Sequence, residues 1–342
     1  MQSSVLPVGK LPPELLAEIL SSAPVDDKDI VVGPGIGFDC AVVACGEHYL
    51  VLKSDPITFV SEDLGWYLVQ VNVNDLATTG ARPRWLMVTL LLPENLTDER
   101  FVRTVNHQIH EACRQVGISV VGGHTEVTHG LTRPLAVGTL VGDVSPEALI
   151  TPAGMQSGDL LVLTKGIPIE ATAILAKEFA PALSSLLPAE ALRRAADFLL
   201  DPGISVLRDA QTAVAAGRVT AMHDPTEGGL LAALWELAEA SGKSLVVDLS
   251  AVPVPKLAQK ICDFFDINPL AAIASGALLM AVNHEDVDGV IRALDEEQID
   301  AAVIGDVQEG PVAVWQLDGE RRELLPRPSR DAISVLFEQV SE

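Results

Sequence analysis

The stretch that decides the fold is VVGPGIGFDCAVV, residues 31–43. Three glycines at alternate positions interrupt an apolar run: Gly33, Gly35 and Gly37. Glycine adopts positive φ and lets a ligand approach the backbone, so such a loop can turn several N–H groups towards a phosphate. A tight turn between two strands explains the same pattern. The spacing matches neither the GxGxxG signature nor a P-loop.

The chain around this loop is long enough for two domains. It has 342 residues, and domains typically hold about 150. Helical and strand patterns alternate in the first half, which predicts an α+β domain over residues 1–150. Turn residues then cluster at Thr151, Pro152 and Gly154, and a new unit begins with a strand. We therefore expect a second domain over residues 151–342.

Charge and composition exclude several classes of partner. Lys and Arg number 23 against 47 Asp and Glu, which gives a net charge of −24. Such a chain repels nucleic acid and anionic membranes. The N-terminus MQSSVLPVGK lacks the pattern of a signal peptide, and the apolar runs are shorter than the ~20 residues of a spanning helix. The four cysteines show no CxxC spacing. These features predict a cytoplasmic protein.

Four acidic residues in the first half each stand at the edge of an apolar element: Asp39, Asp55, Asp75 and Glu126. Oxygen ligands from separate elements are what Mg²⁺ requires when it bridges the phosphates of a nucleotide. Each acid also has a structural explanation when it is taken singly. Asp55 can cap a turn before Pro56, and Asp75 can be an ordinary polar residue of a helix.

Asp75 is the most informative of the four acids. The segment LVQVNVNDLATTGA places it with Asn72 and Asn74 inside an apolar helix. A buried carboxylate needs a cation or hydrogen-bond donors. Lys53 and Lys165 follow apolar strands in a chain that is poor in lysine, so each is either a phosphate contact or a surface residue.

A second glycine-rich segment, HDPTEGGL, stands at the predicted start of a helix. The residues of interest are Asp224, Thr226, Gly228 and Gly229. The free N–H groups of a helix start can receive an anion. Alternatively, Thr226 or Asp224 is a simple N-cap.

Five motifs together resemble the aminoimidazole-ribonucleotide synthetase (PurM-like) superfamily: GPGIGFDCAVV, SDPITF, VNVNDLATTGARP, GGHTEVT and HDPTEGGL. This superfamily includes hydrogenase-maturation proteins, thiamine monophosphate kinase and selenophosphate synthetase. GGHTEV and DPTEGGL look most like the hydrogenase-maturation (HypE) branch. The resemblance implies a two-domain PurM-like fold, in which the first domain forms a barrel-like dimer core and the second is α/β. It also implies phosphoryl transfer from Mg-ATP.

Carried over by position, the resemblance assigns roles to individual residues. It implies that Gly35, Gly37 and Asp39 face the phosphates. Magnesium ligands are then Asp39, Asp55, Asp75 and Glu126, supported by Asn72 and Asn74. His124 and Thr125 lie beside the phosphates, and Thr226, Gly228 and Gly229 contribute to nucleotide binding. Lys53 and Lys165 join the predicted nucleotide-binding set because of their positions after strands, not because of the resemblance. The catalytic set is Asp75, Glu126, His124 and Asp224.

Three departures from the family bear on function. Phe38 stands where the family often has a second acid, and Glu227 where the maturation branch usually has Arg. That branch also acts through a C-terminal cysteine, whereas this sequence ends SVLFEQVSE and its last cysteine is Cys262. A cyanide-delivering role is therefore not expected.

The sequence thus predicts Mg-ATP-dependent phosphoryl transfer to a small molecule or to a carbonyl or amide oxygen. The alternatives are an enzyme like thiamine monophosphate kinase, or a non-catalytic ATP-binding scaffold. The expected partners are a second copy of the chain, the acceptor and a maturation protein.

Overall fold

The structure, a computed structural model, describes residues 6, 11–58, 60, 62–319 and 321–340. It divides into two compact units. One unit comprises Val25–Gly33 and Asp39–Leu149. The other contains the chain from Ile150 onwards, Pro34–Phe38 and the segment before Val25. The outer ends of the predicted domains, at residues 1 and 342, lie outside the described residues.

The unit that contains Asp39–Leu149 is built on a six-stranded sheet with the order β1-β2-β3-β6-β4-β5. A helix in the other unit, α1 (Pro13–Ser21), comes first in the chain. The sheet unit then contains β1 (Ile30–Val32), β2 (Ala41–Cys45), β3 (His48–Ile57), α2 (Leu64–Ala77), β4 (Arg82–Pro93), α3 (Glu99–Val116), β5 (Ser119–Thr128) and β6 (Leu135–Val144). Neighbouring strands are antiparallel except for β4 and β5, which are parallel.

Helix α2 covers one face of this sheet. Strand β6 alternates between buried and half-buried residues, as a strand with one covered face does. Helix α2 contacts β3, β4 and β6 and is buried along nearly its whole length. Helix α3 packs against α2. Its N-cap Asp98 accepts a hydrogen bond from the Phe101 N–H at 2.7 Å, and it ends at Gly117 in the left-handed conformation.

The other unit contains a seven-stranded sheet with the order β13-β12-β9-β11-β7-β10-β8. Its strands are β7 (Leu160–Thr164), β8 (Val219–His223), β9 (Ser244–Val247), β10 (Leu279–Val282), β11 (Ala301–Gln308), β12 (Ala313–Asp318) and β13 (Arg321–Leu324). Its further helices are α4 (Ile169–Glu178), α5 (Ala180–Leu183), α6 (Ala189–Ala196), α7 (Leu207–Ala216), α8 (Gly229–Ser241), α9 (Lys256–Phe264), α10 (Val287–Glu296) and α11 (Ser334–Val340).

The core of this second unit lies between α8 and the central strands. Leu230, Leu234 and Leu237 of α8 pack with Leu161 and Leu163 of β7 in one buried cluster. Short 3-10 helices complete the chain at Pro146–Ala148, Pro152–Gly154, Asp197–Leu199, Leu249–Ala251 and Pro269–Ala271. Among the helices of the described residues, none is both long and apolar enough to span a bilayer.

Candidate functional site

A cluster of charged side chains lies where α2 packs against β3, in the unit that contains Asp39–Leu149, which we call the first unit. The Nζ atom of Lys53 on β3 is 3.2 Å from Asp75 Oδ2 and 3.6 Å from Asp55 Oδ1. Asp75 is only 3% exposed, and the other residues of its helix are largely apolar. The predicted burial of Asp75 is therefore observed, and an ammonium group accompanies it.

Asn72 joins α2 to the same strand. Its Nδ2 donates to the Leu68 carbonyl at 2.8 Å, and its Oδ1 accepts from the Asp55 N–H at 3.2 Å. Gly138 on β6 makes room for this amide, because a β-carbon there would lie 2.5 Å from Asn72 Nδ2. Asn74 is also fully buried in α2. Asn72 therefore fixes the backbone of β3 at Asp55, next to the carboxylates.

The electrostatics of the cluster are dominated by negative charge. Burial alone would lower the pKa of Lys53, but the negative charges of Asp75, Asp39 and Asp55 outweigh burial and raise it. Lys53 is therefore permanently cationic at neutral pH. Asp39 precedes β2 and acts on the same ammonium group. Three carboxylates and one ammonium leave this cluster with a net charge of about −2 when all are ionised.

This donor set fits a hard divalent cation. Carboxylate oxygens from several elements are the ligands that Mg²⁺ takes in nucleotide sites, where substrate phosphates and water complete its coordination. A charge of +2 would neutralise the cluster. The residues that would hold Mg²⁺ are Asp39, Asp55 and Asp75, with Lys53 as a further positive charge for a phosphate.

His124, Thr125 and Glu126 lie on β5, the edge strand of the sheet. The His124 Nε2 is 3.0 Å from Glu126 Oε2, and this hydrogen bond is the main reason that the pKa of Glu126 lies below its usual value. Both side chains are exposed. They form a pair with each other.

The sheet register separates Glu126 from the carboxylate cluster. Asp55 pairs with Gly138, Gly138 with Val88 and Val88 with Gly123, and directly paired residues face the same side of a sheet. Gly123 therefore faces α2 with Asp55, whereas Glu126, three residues later, faces the opposite side. Strand β5 is also three strand spacings, about 14 Å, from β3. Within one chain the structure thus brings Asp39, Asp55 and Asp75 together around Lys53 and places Glu126 on the other side of the sheet, and the assignment of each as a magnesium ligand stays a prediction.

The glycine-rich loop forms a turn, in which the Phe38 N–H donates to the Gly35 carbonyl at 3.3 Å. Gly37 has a positive φ of 78°, and a β-carbon there would lie 2.8 Å from the backbone oxygen of Glu236 in α8. Gly37 is therefore required for close packing on α8. This packing accounts for the grouping of Pro34–Phe38 with the second unit.

The HDPTEGGL segment leads from β8 into α8. Gly228, in the left-handed conformation, is the N-cap, and no side chain caps the helix from that position. The Gly228 N–H donates to Asp331 Oδ2 at 2.7 Å, and the Gly229 N–H donates to the Thr226 carbonyl at 2.9 Å. Both N–H groups that were candidates for an anion thus have acceptors within the chain. Neither Thr226 nor Asp224 is the N-cap.

Two other predicted site residues lie in the interior of the second unit. Lys165 follows β7, and its Nζ donates to the Ser205 carbonyl at 2.6 Å and to Asp209 Oδ2 at 3.2 Å. Burial lowers the pKa of Lys165, whereas the Asp209 carboxylate acts in the opposite direction. Asp224 is buried directly after β8. The preceding residue, His223, contacts Glu236 Oε2 at 2.7 Å.

Comparison with protein families matches most of the chain. Residues 37–144 match the N-terminal domain of AIR synthase related protein, and residues 156–317 match its C-terminal domain. The chain belongs to the AIR synthase related protein family. The resemblance inferred from the motifs is thus confirmed at the level of the family. The boundary near residue 150 falls between the two matched ranges and stays a prediction.

Two relatives carry names that refer to hydrogenase expression or to carbamoyl dehydration. A protein of Methanocaldococcus jannaschii named for hydrogenase expression and formation is 28% identical over 314 residues, which cover 87% of this chain and 88% of the relative. The carbamoyl dehydratase HypE of Cupriavidus necator is 29% identical over 260 residues, 74% of this chain and 70% of the relative.

Solved structures confirm the fold of this AIR synthase related protein. Hydrogenase maturation protein HypE in complex with ATP matches with a TM-score of 0.70 at 24% identity, over 92% of this chain and 90% of that chain. Thiamine monophosphate kinase from Aquifex aeolicus matches with a TM-score of 0.67 at 21% identity, over 90% and 96%. The predicted two-domain PurM-like fold is therefore correct. The barrel-like dimer core stays a prediction.

Sequence reasoning missed two carboxyl groups of the second unit. Glu170 is buried in α4, and Asp331 binds the start of α8. Glu170 stands in the apolar stretch IPIEATAIL, so the argument that singled out Asp75 would have found it. Asp331 gives no such signal, because it lies about a hundred residues from its partner Gly228.

Proposed function

We propose that this protein transfers a phosphoryl group from Mg-ATP to an oxygen atom of a small-molecule or amide-type acceptor. The observation that carries the proposal is the set of three carboxylates, Asp39, Asp55 and Asp75, around the buried ammonium of Lys53. A cluster of this charge binds a divalent cation, and phosphoryl transfer depends on such charge neutralisation.

The chain's own residues would position the reactants. Asp75 is held in a buried helix and Asp55 on a strand fixed by Asn72, so their oxygens need little reorganisation when a cation binds. Lys53 would contribute a positive charge towards a phosphate oxygen. Bound Mg²⁺ would supply the charge that bridges and neutralises the phosphates of ATP.

The relatives support an oxygen acceptor. One is named carbamoyl dehydratase, and dehydration of a carbamoyl group requires its oxygen to leave. A structural neighbour contains ATP. Neither Cys113 nor Cys262 suits a covalent carrier role, because burial raises the pKa of the two thiols to about 11 and 12. We therefore favour an acceptor that is not one of these cysteines.

Calorimetry of ATP binding with and without Mg²⁺ tests the first half of the proposal. We expect Mg²⁺-dependent binding that Asp75→Asn weakens by about tenfold or more, which corresponds to about 1.4 kcal/mol. Asp98→Asn is a matched control, since it makes the same change at the α3 N-cap, where Asn serves as well as Asp. Equal affinity of the wild type and Asp75→Asn would refute the proposed nucleotide site.

Isotope transfer tests the chemical step. Candidate acceptors, including an S-carbamoyl-cysteine peptide, would carry ¹⁸O in their carbonyl group. If that oxygen attacks the γ-phosphorus, the bond from phosphorus to the β,γ-bridging oxygen breaks and ADP leaves. The labelled oxygen then departs with the phosphate, so ¹⁸O appears in inorganic phosphate. Thiamine monophosphate, tested alongside, would instead yield a stable phosphorylated product. ATP binding without turnover with any acceptor would favour the scaffold alternative.

We also propose that the protein is a homodimer. Strand β5 is exposed along almost its whole length, and Val121 is 57% exposed. On the sheet face opposite α2, Met87 is 45% exposed, next to Trp85 on the same strand. An unpaired apolar edge and an apolar sheet face are typical of a surface that a second copy covers. His124 and Glu126 face this surface, so we infer that they contact the partner copy. A maturation protein as a further partner stays a prediction.

A further inference from the structure

A second carboxyl cluster lies in the other unit, where four chain segments meet at the start of α8. The Ala171 N–H of α4 donates to the Ile273 carbonyl at 3.1 Å, and the Ala332 N–H donates to the Ala271 carbonyl at 3.0 Å. Gly229 packs against the same loop, since a β-carbon there would lie 2.6 Å from the Ala272 oxygen. These contacts bring the carboxyl groups of Glu170, Glu227 and Asp331 into one neighbourhood.

Glu170 is the innermost member of this cluster. It is 5% exposed, and it hydrogen-bonds with the hydroxyl and the backbone N–H of Ser275. Its Oε2 atom is buried and has no hydrogen-bond partner among the described residues. A buried carboxyl oxygen without a partner costs free energy, which a ligand that donates to it would recover.

The two outer members keep the site negative and open. Asp331 accepts from the N–H groups of Gly228 and Ile333 at 2.7 and 2.9 Å. Glu227 and Asp331 are half-buried, so these two residues are partly accessible to solvent whereas Glu170 is buried. Burial, together with the charges of Glu227 and Asp331, raises the pKa of Glu170 to about 7, although the bonds to Ser275 act in the opposite direction. Burial also raises the pKa of Asp331, to about 6.

We propose that Glu170, Glu227 and Asp331 form a binding site for a basic amine or guanidine group on a small molecule. Glu170 Oε2 accepts an N–H of that group, and Glu227 and Asp331 supply the surrounding negative charge. Planar or compact nitrogen cations are the natural ligands of clustered carboxylates. Glu227 is an acid at the half-buried rim of this cluster, so this chain would select a cation at that position. The inference rests on the proposed function in one respect, namely that it names the acceptor class.

Calorimetry with a matched pair of probes tests the site. Methylguanidine is a cation, and N-methylurea has the same shape without the charge. We expect methylguanidine to bind and N-methylurea to bind at least about tenfold more weakly, a difference of about 1.4 kcal/mol. Methylammonium serves as the compact cation. Equal binding of the charged and neutral probes, or binding of neither cation, would overturn the proposal. Stronger binding of Mg²⁺ alone at this cluster would likewise overturn it, in favour of a metal site.

Proton release provides a second readout that a structural role would not give. A cation favours the ionised form of Glu170, so binding at pH 7 should release about half a proton. Calorimetry in two buffers of different ionisation enthalpy measures this number. Glu170→Gln keeps the shape and the Ser275 contact but should remove both the release and about tenfold of the affinity. Glu239→Gln on the exposed side of α8 is the control, because it removes one charge outside the cluster.

A further variant and the omission of nucleotide keep the result interpretable. If Glu170→Gln fails to fold, Glu227→Gln at the half-buried rim should still weaken cation binding several-fold, and an unchanged affinity there would contradict the site. The assay contains no ATP. Failure of cation binding therefore leaves the Asp75 site standing, and failure of Mg-ATP binding leaves this site standing.

Discussion

The Nδ2 atom of Asn72 lies 2.5 Å from the position that a β-carbon on Gly138 would take. Helix α2 and strand β6 can therefore approach as they do only if Gly138 has no side chain. The same asparagine accepts the N–H of Asp55, so Gly138, on the strand next to β3, controls the position of a carboxylate through Asn72. The candidate site depends on this packing as much as on its acids.

Gly138→Ala should therefore impair the nucleotide site. The added methyl group must displace Asn72 and lengthen its bond to the Asp55 N–H, and overpacking of this kind costs about 1–3 kcal/mol. We expect a lower melting temperature and weaker Mg-ATP binding by calorimetry. Gly289→Ala in α10 is the control, because a β-carbon there meets only ordinary contact, the Ala216 oxygen at 3.8 Å. Unchanged nucleotide affinity in Gly138→Ala would show that Asn72 does not position Asp55.

Lys53→Met should make the protein depend on divalent cations. The substitution leaves Asp39, Asp55 and Asp75 without their ammonium group, and loss of one partner from a buried ion pair costs about 3 kcal/mol or more. Mg²⁺ should raise the melting temperature of this variant by more than it raises that of the wild type. Lys243→Met, which removes a surface pair with Glu309, is the comparison. An identical Mg²⁺ response in Lys53→Met and the wild type would separate Lys53 from any metal site.

Glu170 should make stability fall as pH rises from about 4.5 to about 7. Its pKa is raised from 4.5 to about 7 in the folded protein, so the folded state binds more protons than the unfolded state across that range. Stability then decreases with pH, by about 3 kcal/mol in total for a fully buried group. Denaturant unfolding of the wild type and Glu170→Gln at pH 5 and pH 8 measures the effect. Relative to the wild type, Glu170→Gln should be more stable at pH 8 than it is at pH 5. A difference that does not change with pH would contradict the raised pKa.

Met87→Glu should convert the proposed dimer to monomers. A charge on the sheet face opposite α2 would be buried without a partner between two copies. Light scattering after size exclusion should give twice the chain mass for the wild type and the single chain mass for the variant. Val214→Glu places the same charge on an exposed apolar position of the other unit and should remain dimeric. A monomeric wild type would refute the homodimer.

The sequence predicted which residues and elements form the site better than it predicted which side of the sheet each side chain faces. Asp75 and Asn72 were identified from polar letters inside an apolar helix, and the structure buries both. Glu126 was grouped with them because it ends an apolar run. Its side of the sheet depends on a strand register in which one step reverses every side chain, and β4 and β5 shift register near Leu86. Such a shift has no signature in composition.

In the second unit, too, the sequence predicted a helix but not the long-range contact at its start. A helix was expected to start within HDPTEGGL, and α8 forms at Gly229–Ser241. Its start was interpreted from local residues alone, either as an anion site or as a cap by Thr226 or Asp224. The acceptor of the Gly228 N–H is instead Asp331, from a segment that no local pattern connects to it. Long-range pairing of this kind can be predicted only when the fold is known.

The ammonium group of Lys53 has a consequence for how this protein is stored and purified. Because the chain carries its own counter-ion among Asp39, Asp55 and Asp75, we expect it to fold without a metal supplied from outside. After extraction with a chelator, the protein should remain folded and should bind Mg²⁺ again when the ion is added back. A cell could then accumulate the ligand-free form and let the arrival of nucleotide set the moment of action.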